Sequence, residues 1–248
     1  MGRPAAQRRA AVLPAALPFL GAVLFCAAAL PCAAVPRAAR ACGNTITLTV
    51  DELARRVTAA EKLLTAGNTV GAVQSLRFAL AVARGTASRG GFGGYELTSD
   101  VRAQPAVRIR VRAERLFALA VVRRDGLVDR RRLRAGWVPD AVRAANFVWA
   151  EGVLGAALRD APAAPEAIAH HAEALARLPN RANDAASALR ELDRRDLMPD
   201  AWSYAVLARL SEAGRDTATR DRAAALCVTL AGEHADAVCP APRGAAAR

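Results

Sequence analysis

Aromatic residues are scarce: six Phe, three Trp and two Tyr make up 4% of 248 positions. Runs of β-branched residues are also few, and the apolar content comes from Ala, Leu and Val, with Ala alone about a quarter of the chain. This argues against a sheet-built core and makes helix the expected state. Lysine occurs once, at Lys62, so arginine carries the basic excess. Histidine occurs three times. His170 and His171 are adjacent and project in different directions from a helix, so they cannot form an i, i+4 metal pair, and Glu173 nearby completes no ligand set. His234 stands with Glu233 and Asp236 in a polar turn near the C-terminus. The cysteine spacing matches no zinc site and no serine nucleophile elbow is present, so no catalytic, metal or cofactor residue is expected. The glycine-dense stretch GTASRGGFGGYELTSD follows no strand and lacks a Lys-Ser/Thr pair, which excludes a phosphate-cradling P-loop.

The first forty residues have the order of an export signal. Arg3, Arg8 and Arg9 stand in a segment without acids, residues 11–30 are apolar apart from Pro14 and Pro18, and small residues follow. The small-x-small rule fits cleavage after Ala34 and also after Ala41, the first at the more usual distance. A retained signal anchor is the alternative, since about 20 apolar residues span a bilayer, but two prolines and many alanines make a poor span. Cys26 and Cys32 follow Phe25 and Pro31, which disfavours acylation there. Cys42 follows Ala41 but lies far from the apolar run. Arg8-Arg9 suggests twin-arginine export only weakly, because Ala10 and Ala11 do not extend the match.

Residues 1–41 hold five arginines and no acid, so their removal lowers the net charge from +12 to +7. The remaining arginine and alanine bias points to a GC-rich, bacterial coding sequence. In an exported protein the basic surface implies general attraction to envelope anions and no nucleic-acid partner. The expected organisation is a signal peptide at 1–34, extending to 41 in the alternative, a linker at 35–48, an α-helical repeat-like domain at 49–232, and a C-terminal tail at 233–248. About 205 mature residues suit one domain with a substantial core. Of the cysteines left after export, Cys227 with Cys239 is the shortest disulfide closure, and Cys42 with Cys239 is the alternative.

Helix punctuation recurs along the domain. TVDELARRVTAAEKLLTAG opens with Thr49 and Glu52 at capping-box spacing, repeats Leu53, Val57, Ala60 and Leu64 on one face, and closes at Gly67. NTVGAVQSLRFALAVARG follows at once, with Val73, Leu76 and Leu80, which predicts a helical hairpin. The glycine-dense segment is expected as an exposed loop and, through Phe92 and Tyr95, as a place to look for binding. A helix is expected from about Pro105 despite the strand-like VRIRVR, with its arginines spread over a solvated face. Residues 138–160 form another, with Phe147, Val148, Leu154 and Leu158 on its apolar face. Four further helix-length segments follow. Asp200 starts one of them, Gly214 ends it, and Asp216 caps the next.

The first hairpin resembles the tetratricopeptide repeat. Ala60, Leu63 and Gly67 fit the small, large, Gly order of its first helix, and Ala72, Leu76, Ala79 and Leu80 fit the order of its second. Ala150, Leu154, Ala157, Leu158 and Pro162 match the end of a repeat. Trp202, Leu207, Leu210 and Gly214 resemble a first helix with the Trp displaced by one position, whereas residues 86–135 do not fit. The resemblance covers about half of the mature chain. It implies an all-α fold of stacked antiparallel hairpins whose concave side binds a peptide or partner protein. An irregular helical bundle satisfies the same patterns.

Two functions follow. One is an exported, non-enzymatic scaffold with a groove around Arg56, Ala60, His171, Tyr204 and Arg209, its protein or peptide partner lying in the periplasm or beyond it. An uncleaved signal or a lipidated cysteine would place that scaffold at the membrane. The other is a helical envelope hydrolase with a single acid at Glu151, which requires a cleft beside that residue and a second polar group facing it.

Overall fold

A computed structural model describes residues 46–84, 95–97, 103–128 and 139–240, all within the compact unit Cys42–Arg248. The fold is all-α. Eight longer helices dominate the described residues: α1 (Val50–Thr65), α2 (Thr69–Ala83), α3 (Gln104–Arg123), α4 (Asp140–Asp160), α5 (Pro165–Leu175), α6 (Ala182–Arg194), α7 (Ala201–Ala213) and α8 (Thr217–Ala231). A 3-10 turn at Gly232–His234 and the single turn α9 (Ala235–Val238) follow.

Local chemistry starts these helices where the sequence places them. Thr49 Oγ1 accepts from the Glu52 amide at 3.1 Å, and the Thr49 amide donates to Glu52 Oε2 at 2.7 Å, which completes the capping box. Asn68, Asp200 and Asp216 each cap the helix that follows through a side-chain oxygen. Leu53, Val57, Ala60 and Leu64 lie on one buried face of α1. The VRIRVR stretch is helical within α3.

Two short elements depart from expectation. Ile46–Leu48 (β1), within the expected linker, pairs in parallel with Tyr95–Leu97 (β2), within the expected loop. The side chain of Tyr95 and all of Phe92 lie outside the described residues. At the other end, the expected tail begins as folded chain: Cys227 and Cys239 form a disulfide that ties α9 to α8.

Packing follows the order of the chain. Consecutive helices contact one another, and the odd-numbered helices also touch in the series α1 to α3, α3 to α5 and α5 to α7. Three buried clusters result. One joins α1, α2 and α3, and one joins α5 to α9. The third bridges them with Ala118, Val121 and Val122 of α3, Ala150 and Leu154 of α4, and Ala174 of α5. The first and last hairpins also meet directly, because Trp202 Nε1 of α7 donates to the Leu64 carbonyl of α1 at 3.1 Å. Gly67 (φ +81°) turns the chain after α1 so close to α9 that an added Cβ would lie 2.6 Å from the Cβ of Ala237. No helix among the described residues is long and apolar enough to cross a membrane.

Candidate functional site

The odd-numbered helices turn one face inward, and their contact buries charge. Arg123, in the last turn of α3, donates from Nε to Glu173 Oε2 at 2.9 Å and from Nη2 to Glu173 Oε1 at 2.8 Å. The same Nη2 donates to Asp200 Oδ2, the N-cap carboxylate of α7, at 2.6 Å. Ser203 Oγ, with a single hydrogen to give, lies 2.9 Å from Asp200 Oδ1 and 3.2 Å from Glu173 Oε1, within donating distance of either. The guanidinium also lies 5.2 Å from the Trp202 ring centroid, a cation–π distance.

Burial sets the ionisation of this cluster. It raises the Glu173 carboxyl above its ordinary value, against the pull of Arg123. Burial also acts to raise Asp200, but Arg123, the Ser203 amide and His170 outweigh it and hold Asp200 at about 2. His170 packs beside them with a buried Nδ1 that has no hydrogen-bond partner and lies 4.0 Å from Glu166 Oε1. Burial first, and then the Arg123 charge, depress this imidazole to about 4. His170, Glu173 and Asp200 bring their donor atoms within 4.8 Å of one another, a spacing a metal could bridge. Both oxygens of Glu173 and one of Asp200 already accept from Arg123, so the guanidinium supplies the positive charge of the cluster.

The remaining space between these inner faces is a cavity of about 310 Å³ reached by Glu61, Leu64, Leu116, Glu166, His170 and Asp200, among others. The larger opening is outside. Between the first half of α3 and the second half of α4 runs a groove of about 900 Å³. The two helices pack tightly at one end, where Phe117 meets Trp149 edge to face with ring centroids 5.7 Å apart. Towards Arg108 and Asp160 the groove opens over Gly152, Ala156 and Ala157. An added Cβ at Gly152 would meet nothing within 4 Å, so the missing side chain leaves open depth. Val111, Val148 and Trp149 line the groove at 53, 60 and 41% exposure, which is unusual for large apolar side chains gathered in one place.

The sequence-predicted binding residues do not gather in one groove. Ala60 is fully buried in the first core cluster and Tyr204 in the second, so neither offers a surface to a partner. Arg56 is exposed on α1 and stacks over the Phe78 ring at 5.0 Å. Arg209 is exposed on α7. His171 turns away from the inner cluster, its Nε2 3.0 Å from Glu151 Oε1. Glu151 is thus held against an imidazole between α4 and α5, and it is not among the groove-lining residues. Val148, expected on the buried face of α4 beside Phe147, projects into the groove instead, since adjacent helical positions diverge by about 100°. Arg123 and the groove were missed in the sequence. The available signal for the cluster was Glu173 itself, an acid spaced one helical turn from Ala169 on an otherwise apolar face.

No family model matches the chain, and neither the curated proteins nor the solved structures give a match.

Proposed function

We propose that the protein is an exported, non-enzymatic helical scaffold that binds a partner protein or peptide in the cell envelope, and that the α3–α4 groove is its contact surface. One observation carries this reading: Val111, Val148 and Trp149 stand exposed around a groove of about 900 Å³ whose lining also includes Gly152, Ala156, Ala157 and Ala161. Small lining residues let a guest backbone approach closely, and exposed apolar side chains reward its own, as in the docking of a helix into a hydrophobic groove. The basic, apolar start of the chain and the Cys227–Cys239 disulfide support an oxidising destination such as the periplasm or the cell exterior. The concave side implied by the repeat resemblance takes a smaller part, because the cavity between the inner helix faces is about 310 Å³ against about 900 Å³ for the α3–α4 groove.

A photoreactive residue placed at Val148 in the native-type host tests the reading, with exposed Val228 of α8 as the control position. The expected result is a discrete protein adduct at 148, absent at 228, that disappears with Gly152→Leu. That substitution fills the groove and favours helix. Adducts of equal yield at both positions, or none at 148, would overturn it. Intact mass of the recovered protein tests export, which requires a chain starting at Val35 or Cys42.

A further inference from the structure

We infer that the inner cavity between α1, α3, α5 and the start of α7 is a site for a divalent transition-metal ion, bound by His170, Glu173 and Asp200. The site is separate from the α3–α4 groove and goes beyond the docking reading. His170 lines the cavity and is only 4% exposed, yet its Nδ1 has no hydrogen-bond partner. A buried ring nitrogen left unsatisfied is costly, so it points to a missing ligand. Glu166 Oε1 stands 4.0 Å from Nδ1, too far for a hydrogen bond, and Glu166 lines the same cavity, which puts Nδ1 on the cavity side of the ring. One donor atom from each of His170, Glu173 and Asp200 lies within 4.8 Å of the other two. A tetrahedral ion with bonds of about 2.0–2.2 Å holds its ligand atoms roughly 3.3–3.6 Å apart. Closure of at most about 1.5 Å, within the reach of side-chain rotation, therefore completes the set.

Charge selects a cation. Glu61, Glu166 and Asp200 line the cavity, and Glu173 joins Asp200 through their shared guanidinium. Arg112 pairs with Glu61 and Arg115 with Glu166, which leaves Arg123 to serve both Glu173 and Asp200. Arg209 acts on Glu173 at longer range and makes no ion pair among the described residues. Four ionised carboxylates thus face three guanidinium groups, and one negative charge stays uncompensated in the interior, where it is expensive. Arg123 does not exclude the ion: each carboxylate oxygen has a second lone pair, and a hydrogen bond to a ligating carboxylate orients it. An imidazole among the donors favours a zinc-like ion over calcium or magnesium, which take oxygen alone. The cavity of about 310 Å³ leaves room for water to complete the coordination, and half-exposed Glu166 marks the way in. Bound there, the ion joins α5 to α7.

The test uses the protein as recovered from its host, with Cys42 blocked by alkylation and bound metal stripped by a chelator that is then removed. Zinc is titrated against a chromophoric chelator, and cobalt(II) serves as the spectroscopic probe. The expected result is one zinc per chain, visible cobalt bands of a tetrahedral nitrogen and oxygen site, and a thermal midpoint that rises with zinc. His170→Ala should weaken zinc binding about 100-fold or more and remove the cobalt bands, whereas His234→Ala should leave both within about twofold. Asp200→Asn keeps an N-cap for α7 and should weaken binding about tenfold or more. Circular dichroism checks that each variant is folded, and if His170→Ala is not, Asp200→Asn decides. Failure of the stripped protein to bind either ion would overturn the inference and leave a proton shared by Glu173 and Asp200 as the neutralising partner. Binding that survives both substitutions, or that is lost with His234→Ala, would overturn it as well.

Discussion

Arg123 and Glu173 meet side by side in the interior, the guanidinium's Nε and Nη2 each donating to one carboxylate oxygen, with side chains 2 and 0% exposed. They come from α3 and α5, fifty residues apart, so their pairing fixes how two hairpins stack. Removal of one partner leaves the other's charge buried. Arg123→Met should destabilise the protein by about 3–5 kcal/mol, since Glu173 and Asp200 both lose their cation. Urea unfolding followed by circular dichroism measures this. Arg123→Met with Glu173→Met should recover part of the loss, and a double variant no more stable than Arg123→Met would show that the loss lies elsewhere.

Acid sensitivity follows from the same cluster. His170 has a folded pKa of about 4 against an ordinary 6.5, caused first by burial and then by Arg123. The unfolded chain therefore binds more protons in this window. The contribution of neutral His170 is complete above pH 6.5 and is lost as pH falls towards 4, by an amount on the order of 3 kcal/mol. Glu173, raised by burial, has the opposite sign and loses stability as pH rises above its ordinary 4.5. Asp200, held at about 2 against an ordinary 3.8, adds a loss as pH falls through that lower interval. His170→Gln should flatten the stability profile between pH 6.5 and 4, measured by denaturant midpoints. Glu173→Gln serves as the control for the opposing slope.

The Cys227–Cys239 disulfide closes a short loop with a sequence separation of 12. On loop-closure grounds its removal should cost about 3 kcal/mol. The paired Cys227→Ala and Cys239→Ala variant should show this in thermal or urea unfolding. Reduction should lower the stability of the parent and leave the paired variant unchanged.

Gly67 and Ala237 test the closure between the first turn and the C-terminal segment. Gly67→Ala forces a side chain into left-handed backbone at φ +81° and drives its Cβ against Ala237. The expected cost is about 1–3 kcal/mol. In an Ala237→Gly background the steric part should vanish and about 1 kcal/mol of backbone strain should remain. Additive effects of the two substitutions would exclude the contact.

The helices were legible because their signals are local. Thr49 and Glu52 cap α1 within four residues, Leu53 to Leu64 recur at helical spacing, and Gly214 followed by Asp216 marks the change from α7 to α8. The disulfide was legible for the same reason, as the nearest closure in sequence. The spacing anticipated an all-α fold, but it placed buried residues in the expected groove. Ala60 and Tyr204, expected to line a groove, are core residues: Ala60 packs into the cluster that joins α1, α2 and α3, and Tyr204 into the one that joins α5 to α9.

The sequence by itself determined the helical content, the places where helices start and stop, and the export-like character of the opening segment, since each depends on residues a few positions apart. Only the tertiary structure decided that Arg123, Glu173 and Asp200 share one buried cluster and that Trp202 reaches the Leu64 carbonyl. It also decided that Val111, Val148 and Trp149 stand exposed along one groove between α3 and α4. The physical reason lies in alanine: an Ala-rich helix can present several faces to a neighbour at similar hydrophobic gain, so local spacing does not specify which faces meet. The few large or charged side chains make that choice, and their partners come from segments as far as 138 residues away.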